Sequence, residues 1–395
     1  MPLVQSVRRS CSFFCFFRSE NAHGCNLIST AERQTKVSVE LRPSSRTACI
    51  VALTILVPFA GAARAQSTNS IVPGPKPADA PSGWKIWIGE YGSKEITFTV
   101  GESEGHGFII DKVAGKKWDL PSPPVETAAQ VERSSTRFVV VHFWRDPVGR
   151  LDLCTNDLCW GKNAYGVDDQ NVARVKPVRA IDDGLRAEAL AATPPKETGN
   201  FRKPDLVELG LLDPGIRLDI RYATANDFLG TPVYSQARAF LQRPAAEALL
   251  RVQQKLKPLG YGLLIHDAYR PWYVTKLFWD ATPPEGKIFV ADPAQGSRHN
   301  RGCAADLTLY DPATGKPIEM PGTYDEMSPR SFPDYPGGTS LQRWHRDLLR
   351  RAMESEGFTV YEAEWWHFDY KDWKEYPLLN VPFEKLGLDA AEATH

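Results

Sequence analysis

Two textures of apolar and polar positions follow one another along this chain. From Trp84 to about residue 178, short runs rich in β-branched and aromatic residues are separated by Gly-containing breaks: WKIWI at 84–88, EITFTV at 95–100, GFII at 107–110 and RFVVVHFW at 137–144. That pattern predicts a small β domain over 84–178. From about Leu206 the pattern is mixed. RLDIRYA (217–223), GYGLLIHDAYRP (260–271), CAADLTLYD (303–311) and TVYEAEWWHFDY (359–370) read as strands, the second running into a loop because Pro271 disfavours helix at Arg270. Apolar residues at 245, 249, 252 and 256 have helical spacing behind Pro244, a residue suited to a first turn. LQRWHRDLLRRAMESEGF (341–358) reads as an amphipathic helix closed by Gly357. The pattern over 205–388 mixes helical and strand-like segments, and no internal repeat is visible.

The flanking segments differ. Ala48 to Ala63 is an apolar run broken by Thr54, Pro58 and Gly61, preceded by Arg42 and Arg46 and followed by the small-x-small triplet Ala63-Arg64-Ala65. Residues 1–65 therefore read as a targeting segment, cleaved near Ala65 to leave Gln66 first, which predicts a periplasmic or secreted protein with no membrane span after cleavage. The run is short for a span, and an uncleaved anchor is the alternative. Residues 1–41, with Phe13, Phe14, Phe16 and Phe17 clustered, do not resemble a signal n-region, which suggests that translation starts downstream. The Pro- and Ser-rich stretch 66–83 and the stretch 179–204, with Pro194-Pro195, read as linkers.

Composition narrows the function classes. Of 395 residues, 42% are hydrophobic and 24% charged, as in a globular protein. Residues 1–65 hold eight Lys/Arg against three Asp/Glu, which leaves 39 against 45 beyond them, a mildly acidic body with no electrostatic footing for nucleic acid. Seven cysteines fall to Cys154, Cys159 and Cys303 after cleavage. In an oxidising compartment Cys154 and Cys159 are expected to bridge across a tight turn, two unpaired thiols being the alternative. No second cysteine pair exists to complete a four-ligand zinc site.

The residues that carry chemistry stand in SRHNRGCAAD (297–306) and EWWH (364–367). A hydrolytic zinc takes three protein ligands and leaves a position for water. It acidifies that water and polarises the scissile carbonyl, and a nearby carboxylate must carry the proton to the leaving amine. His299 and Asp306 flank a turn at Arg301-Gly302, with Asp306 facing inward at the start of a strand. Glu364 and His367 are three positions apart, which strict alternation puts on opposite faces, so a bend or bulge is required if both reach one metal. Spacing alone leaves a hydrogen-bonded polar cluster open as the bland reading of these residues.

These segments, with LDIRYATANDFLG (218–230), the PVY after it and GYGLLIHDAYRP (260–271), resemble the zinc DD-peptidase family, peptidase M15. The likeness is to its branch of D-alanyl-D-alanine dipeptidases of the vancomycin-resistance type, and it covers roughly residues 205–385. It implies an α+β fold, a central, mostly antiparallel sheet with helices packed around it. It also implies one Zn2+ held by His299, Asp306 and His367, Glu364 as general base, and Arg270 stabilising the oxyanion. Ser297 and Asp267 would lie beside the substrate, Asp267 as partner of a free ammonium group, with Tyr222 and Tyr234 as pocket walls. The implied reaction is hydrolysis of D-alanyl-D-alanine to two D-alanine. Cys303 stands where the family motif has another small residue, and the 84–178 domain has no counterpart in minimal dipeptidases. A DD-carboxypeptidase or endopeptidase acting on peptidoglycan stems, with the β domain binding wall polymer, keeps the chemistry and changes the substrate. A zinc-stabilised binding module without catalysis is the reading from another class.

Overall fold

The first apolar run does not become a strand. In the computed structural model, which describes residues 70–93, 97–120, 141–145, 150–155, 158–163 and 172–386, Ser82–Lys85 form a helical turn, α1. The buried pair there is Trp84 and Trp87, three apart as on a helix, while Ile86 between them is 43% exposed. β1 (Gly89–Gly92), β2 (Thr97–Ser103), β3 (His106–Asp111) and β4 (Lys116–Leu120) follow as an antiparallel sheet in that order. β5 (Val141–Arg145), β6 (Leu151–Thr155) and β7 (Leu158–Gly161) form a second antiparallel sheet. Both close on an apolar cluster that includes Trp84, Trp87, Tyr91, Ile109, Phe143 and Leu153. Cys154 and Cys159 face each other across β6 and β7 and are joined by a disulfide. The targeting segment 1–65 and its cleavage point at Ala65, like residues 137–140, lie outside the described residues.

Residues 179–204, expected to be a linker, carry α2 (Asp183–Ala191). Asp182 caps it by accepting from Leu185 N at 2.9 Å, and Leu185 and Ala189 are buried in the larger core. Beyond it come β8 (Leu206–Glu208), β9 (Arg217–Leu218), β10 (Phe240–Gln242), α3 (Arg243–Leu256), β11 (Gly262–Asp267), α4 (Trp272–Ala281), β12 (Ala304–Tyr310), α5 (Ser340–Glu354), β13 (Phe358–Tyr361) and β14 (Glu364–Tyr370). The central sheet runs β13-β14-β12-β11-β9, antiparallel except where β9 lies parallel to β11. The fold is thus mixed α+β. α3 has Pro244 in its first turn, and α5 starts on a Thr339–Gln342 capping box. The two helices pack together on the sheet, where Leu307 and Leu309 of β12 meet Leu249, Leu348 and Leu349 in one core. Alternation along β12 turns Asp306 to the other face.

Two predicted strands are shorter than their apolar pattern. RLDIRYA pairs only over Arg217–Leu218 and then turns into a 3-10 helix, Arg221–Ala223, that buries Tyr222. The 359–370 run is a hairpin, β13 and β14, turning at Glu362 and Ala363.

Ala65 onward forms one compact unit, so the β-rich stretch is docked on the rest. Glu102 of β2 makes the junction. Its carboxylate accepts from Ser340 N at 2.9 Å at the start of α5, and its carbonyl accepts from Arg343 at 2.8 Å. An anion at a helix N-terminus meets unpaired N–H groups and the positive end of the dipole. No helix among the described residues is long and apolar enough to cross a membrane.

Candidate active site

Three segments far apart in sequence converge beside β12. His299 sits in a 3-10 turn, His299–Arg301, that ends on Gly302 at φ +66°. That left-handed conformation suits glycine, and an ideal Cβ on Gly302 would lie 2.5 Å from Leu206. Ser297 caps the turn, its Oγ accepting from His299 N at 3.2 Å. Buried Asn300 ties the turn to the next loop, donating to Arg270 O and Thr275 Oγ1, both at 2.8 Å. Asp306 on β12 pairs directly with His367 on β14, so both side chains leave the same face of the sheet.

The awkward step between Glu364 and His367 is resolved by the hairpin. Register passes from the pair Val360–Phe368 to the pair Tyr361–Glu364, so Trp365, Trp366 and His367 bulge from β14 with no partner on β13. Alternation is broken within the bulge, and Glu364 Oε2 comes to 3.8 Å from His367 Nδ1.

His299 Nε2, His367 Nδ1 and Asp306 Oδ1 form a triangle. Its edges are 3.1 Å between the nitrogens, 3.3 Å from His299 to Asp306 and 3.1 Å from His367 to Asp306. Three donors on one face of a tetrahedral zinc site, with bonds of about 2.0–2.1 Å, would be about 3.3 Å apart. The other ring nitrogens are held from behind. His299 Nδ1 is 2.6 Å from Ala268 O, and His367 Nε2 is 2.9 Å from Asp369 Oδ1. A proton on each of those nitrogens turns a lone pair of each imidazole into the triangle. Asp306 Oδ1 is buried without a hydrogen bond. Converging lone pairs and an orphaned carboxylate oxygen in a dry site call for a cation, and this donor set fits zinc.

Without the metal, the site favours a proton on His367 instead. Burial disfavours the charged form of His367, but Asp369 and Asp306 outweigh it and hold the pKa well above its ordinary value. Burial pushes the Glu364 carboxyl up to about 8; His367 opposes the rise and Asp306 adds to it.

The triangle opens into a small pocket of about 110 Å³, lined by Tyr222, Arg270, Ser297, Asp325 and Glu364 together with the three donors. Two expected substrate contacts do not line it. Asp267 is buried with both oxygens engaged: Oδ1 accepts from Tyr234 at 2.7 Å, and Oδ2 accepts from Arg270 Nε and a terminal nitrogen at 2.9 and 2.7 Å. Asp267 and Tyr234 therefore stand behind Arg270 and aim it, with no free oxygen for a substrate ammonium. Arg270 also lies over the rings of Phe278 and Tyr222, at 4.9 and 5.2 Å.

The pocket carboxylate that sequence reasoning missed is Asp325. It is one of two non-glycine residues of positive φ among the described residues, at +58°, a conformation that costs energy and clusters at functional sites. Its Oδ1 accepts from Tyr222 at 3.2 Å, and its Oδ2 is buried and unpaired. Burial pushes its pKa well above the usual carboxylate range, with Asp306 and Glu364 adding to the rise. Tyr324 and Asp369, which hold Asp306 and His367 from behind, were also missed. No motif spacing marks any of the three. Cys303 is buried, its thiol pushed up to about 12 by burial, which makes it a packing residue at neutral pH.

Comparison with known proteins covers this same part of the chain. The sequence profile of the peptidase M15 family, D-Ala-D-Ala dipeptidase, matches residues 202–385 and so omits the β-rich stretch. The D-alanyl-D-alanine dipeptidase of Escherichia coli K12 is 36% identical over 45% of this chain and 91% of its own length. That of Enterococcus faecalis is 36% identical over 41% and 89%, and that of Streptomyces coelicolor 35% identical over 40% and 87%. With likeness of this extent laid over the residues that build the triangle, the chain belongs to the peptidase M15 family of zinc metallopeptidases.

Proposed function

We propose that this protein hydrolyses D-alanyl-D-alanine to two molecules of D-alanine, using one zinc ion held by His299, Asp306 and His367. The observation that carries the reading is the three-donor triangle with Glu364 beside it, in a pocket that Asp325 also lines. When bound, zinc acidifies water and polarises the peptide carbonyl. Glu364 takes the proton from the attacking water and delivers it to the leaving amine. Arg270, aimed by Asp267, stabilises the oxyanion as charge develops. Asp325 replaces Asp267 as the partner of the substrate ammonium, because it lines the pocket and one of its oxygens has no hydrogen-bond partner.

Pocket size supports a free dipeptide. About 110 Å³ is well under the roughly 300–1,000 Å³ of sites that take drug-sized ligands. An acyl group on the substrate nitrogen would remove the charge that matches Asp325. The names of the relatives, all D-alanyl-D-alanine dipeptidases, agree. Export is part of the proposal: the apolar run before Ala65 and the Cys154–Cys159 disulfide both suit a protein that acts in the periplasm or outside the cell. The direct test compares D-alanine release from D-Ala-D-Ala and from an N-acylated stem peptide ending in D-Ala-D-Ala. A strong preference for the acylated substrate would make the protein a DD-carboxypeptidase instead.

A further inference from the structure

We infer that Tyr324 is a positioning residue for the metal ligand Asp306, and that it joins the metal centre to the wall of the substrate pocket through Tyr222. The Tyr324 hydroxyl lies 2.9 Å from Asp306 Oδ2 and 3.0 Å from the Tyr222 hydroxyl, which lies 3.2 Å from Asp325 Oδ1. Four side chains thus stand in one line of polar contacts, from a metal ligand at one end to the pocket carboxylate at the other.

Proton counting sets the direction of each bond. A phenol has one proton to donate, and the stronger acceptor beside Tyr324 is the Asp306 carboxylate. Tyr324 therefore donates to Asp306 Oδ2, and Tyr222 gives its one proton to Asp325 Oδ1, so no proton is left for the contact between the two hydroxyls. Asp306 Oδ2 is occupied, and Oδ1 alone is presented to the metal. Without that hydroxyl the outer oxygen would be left to Arg270, whose nearest nitrogen is 3.7 Å away. Asp306 would then be drawn towards the guanidinium and away from the triangle.

The ring is held so that the hydroxyl cannot wander. It stacks on His266 with centroids 4.6 Å apart at 26°, and meets Trp366 edge-on at 5.6 Å. These contacts belong to the ring and not to the hydroxyl, which is what makes the role separable from packing.

The test replaces Tyr324 by Phe, which keeps the ring contacts and deletes one oxygen. Zinc affinity of the purified protein is measured by competition with a chelator, and the metal-free melting temperature is measured alongside. Tyr324→Phe is expected to bind zinc about 10–100-fold more weakly, with little change in metal-free melting. Tyr222→Phe, which leaves the Tyr324–Asp306 bond in place, is expected to keep zinc affinity within about threefold of the parent while the Michaelis constant rises, a change of under about 1 kcal/mol at the metal. Unchanged zinc affinity in Tyr324→Phe overturns the inference, as does an equal loss in Tyr222→Phe; the metal-free melting measurement shows that the variants compared are folded. Because the readout is zinc itself, failure of the D-Ala-D-Ala assignment would leave this result standing.

Discussion

At the scale of single residues, the site is a set of buried charges arranged so that each has a partner except where a ligand must enter. Asp325 is the sharpest case, with one oxygen on Tyr222 and the other unpaired. Asp325→Asn should raise the Michaelis constant for D-Ala-D-Ala by about 10–100-fold, the 1–3 kcal/mol of a lost charged hydrogen bond, with a smaller change in kcat; an unchanged Michaelis constant would remove Asp325 from the substrate site. The metal site predicts a pH dependence. His367 has its metal-free pKa raised well above the ordinary 6.5, so its bound proton stabilises the metal-free fold at low pH, and that contribution is lost as pH rises through the raised pKa. Zinc must displace this proton. Zinc affinity should therefore climb with pH until the raised pKa of His367 is passed, and calorimetry in buffers of different ionisation enthalpy should detect proton release; a flat affinity would contradict the arrangement. His299, Asp306, His367 and Glu364 were legible in the sequence through the resemblance of their two segments to the family's motifs, where spacing alone left a polar cluster open. Asp325 was not, since its partner Tyr222 lies 103 residues away. Asp267 was misplaced for a related reason: its closeness to Arg270 in sequence hid the Tyr234 bond, from 33 residues away, that uses up its second oxygen.

At the scale of elements, the hairpin β13–β14 shows what periodicity cannot supply. The apolar pattern of 359–370 suits one strand, but the turn at Glu362–Ala363 and the bulge over Trp365–His367 are what bring Glu364 and His367 to one side. α2 escaped notice because only Leu185 and Ala189 of its nine residues are buried, too few to stand out as a stripe. α3, α5, β11 and β12 were legible because their faces are continuous. The turn that carries His299 is held by Gly302 at φ +66°, with Leu206 packed where a side chain would start. Gly302→Ala should destabilise the fold by about 1–3 kcal/mol and weaken zinc binding with it, as chemical denaturation and chelator competition would show. A variant as stable as the parent would mean that the turn relaxes freely and does not set His299.

At the scale of the whole molecule, the β-rich stretch has its own apolar cluster yet is docked on the larger core. Glu102 is central to that docking, 1% exposed and bonded to both Ser340 and Arg343. Glu102→Ala should cost about 1–3 kcal/mol by leaving the first turn of α5 without its acceptor. The loss should appear in denaturation without a change in the Michaelis constant, because Glu102, Ser340 and Arg343 do not line the pocket; a selective loss of activity at unchanged stability would give the junction a functional role instead. The sequence profile of the family stops short of this stretch, and the docking was invisible in the sequence because it rests on single contacts between residues more than 230 positions apart.

The account stands or falls on whether these residues hydrolyse D-Ala-D-Ala through zinc. The most direct measurement is D-alanine release by the purified protein, before and after chelation, after zinc add-back, and in zinc-loaded Glu364→Gln. The account predicts turnover that chelation abolishes and zinc restores, and a loss of about 10²–10⁴-fold in Glu364→Gln with zinc still bound. Turnover that survives chelation, or is the same in Glu364→Gln as in the parent, would contradict it.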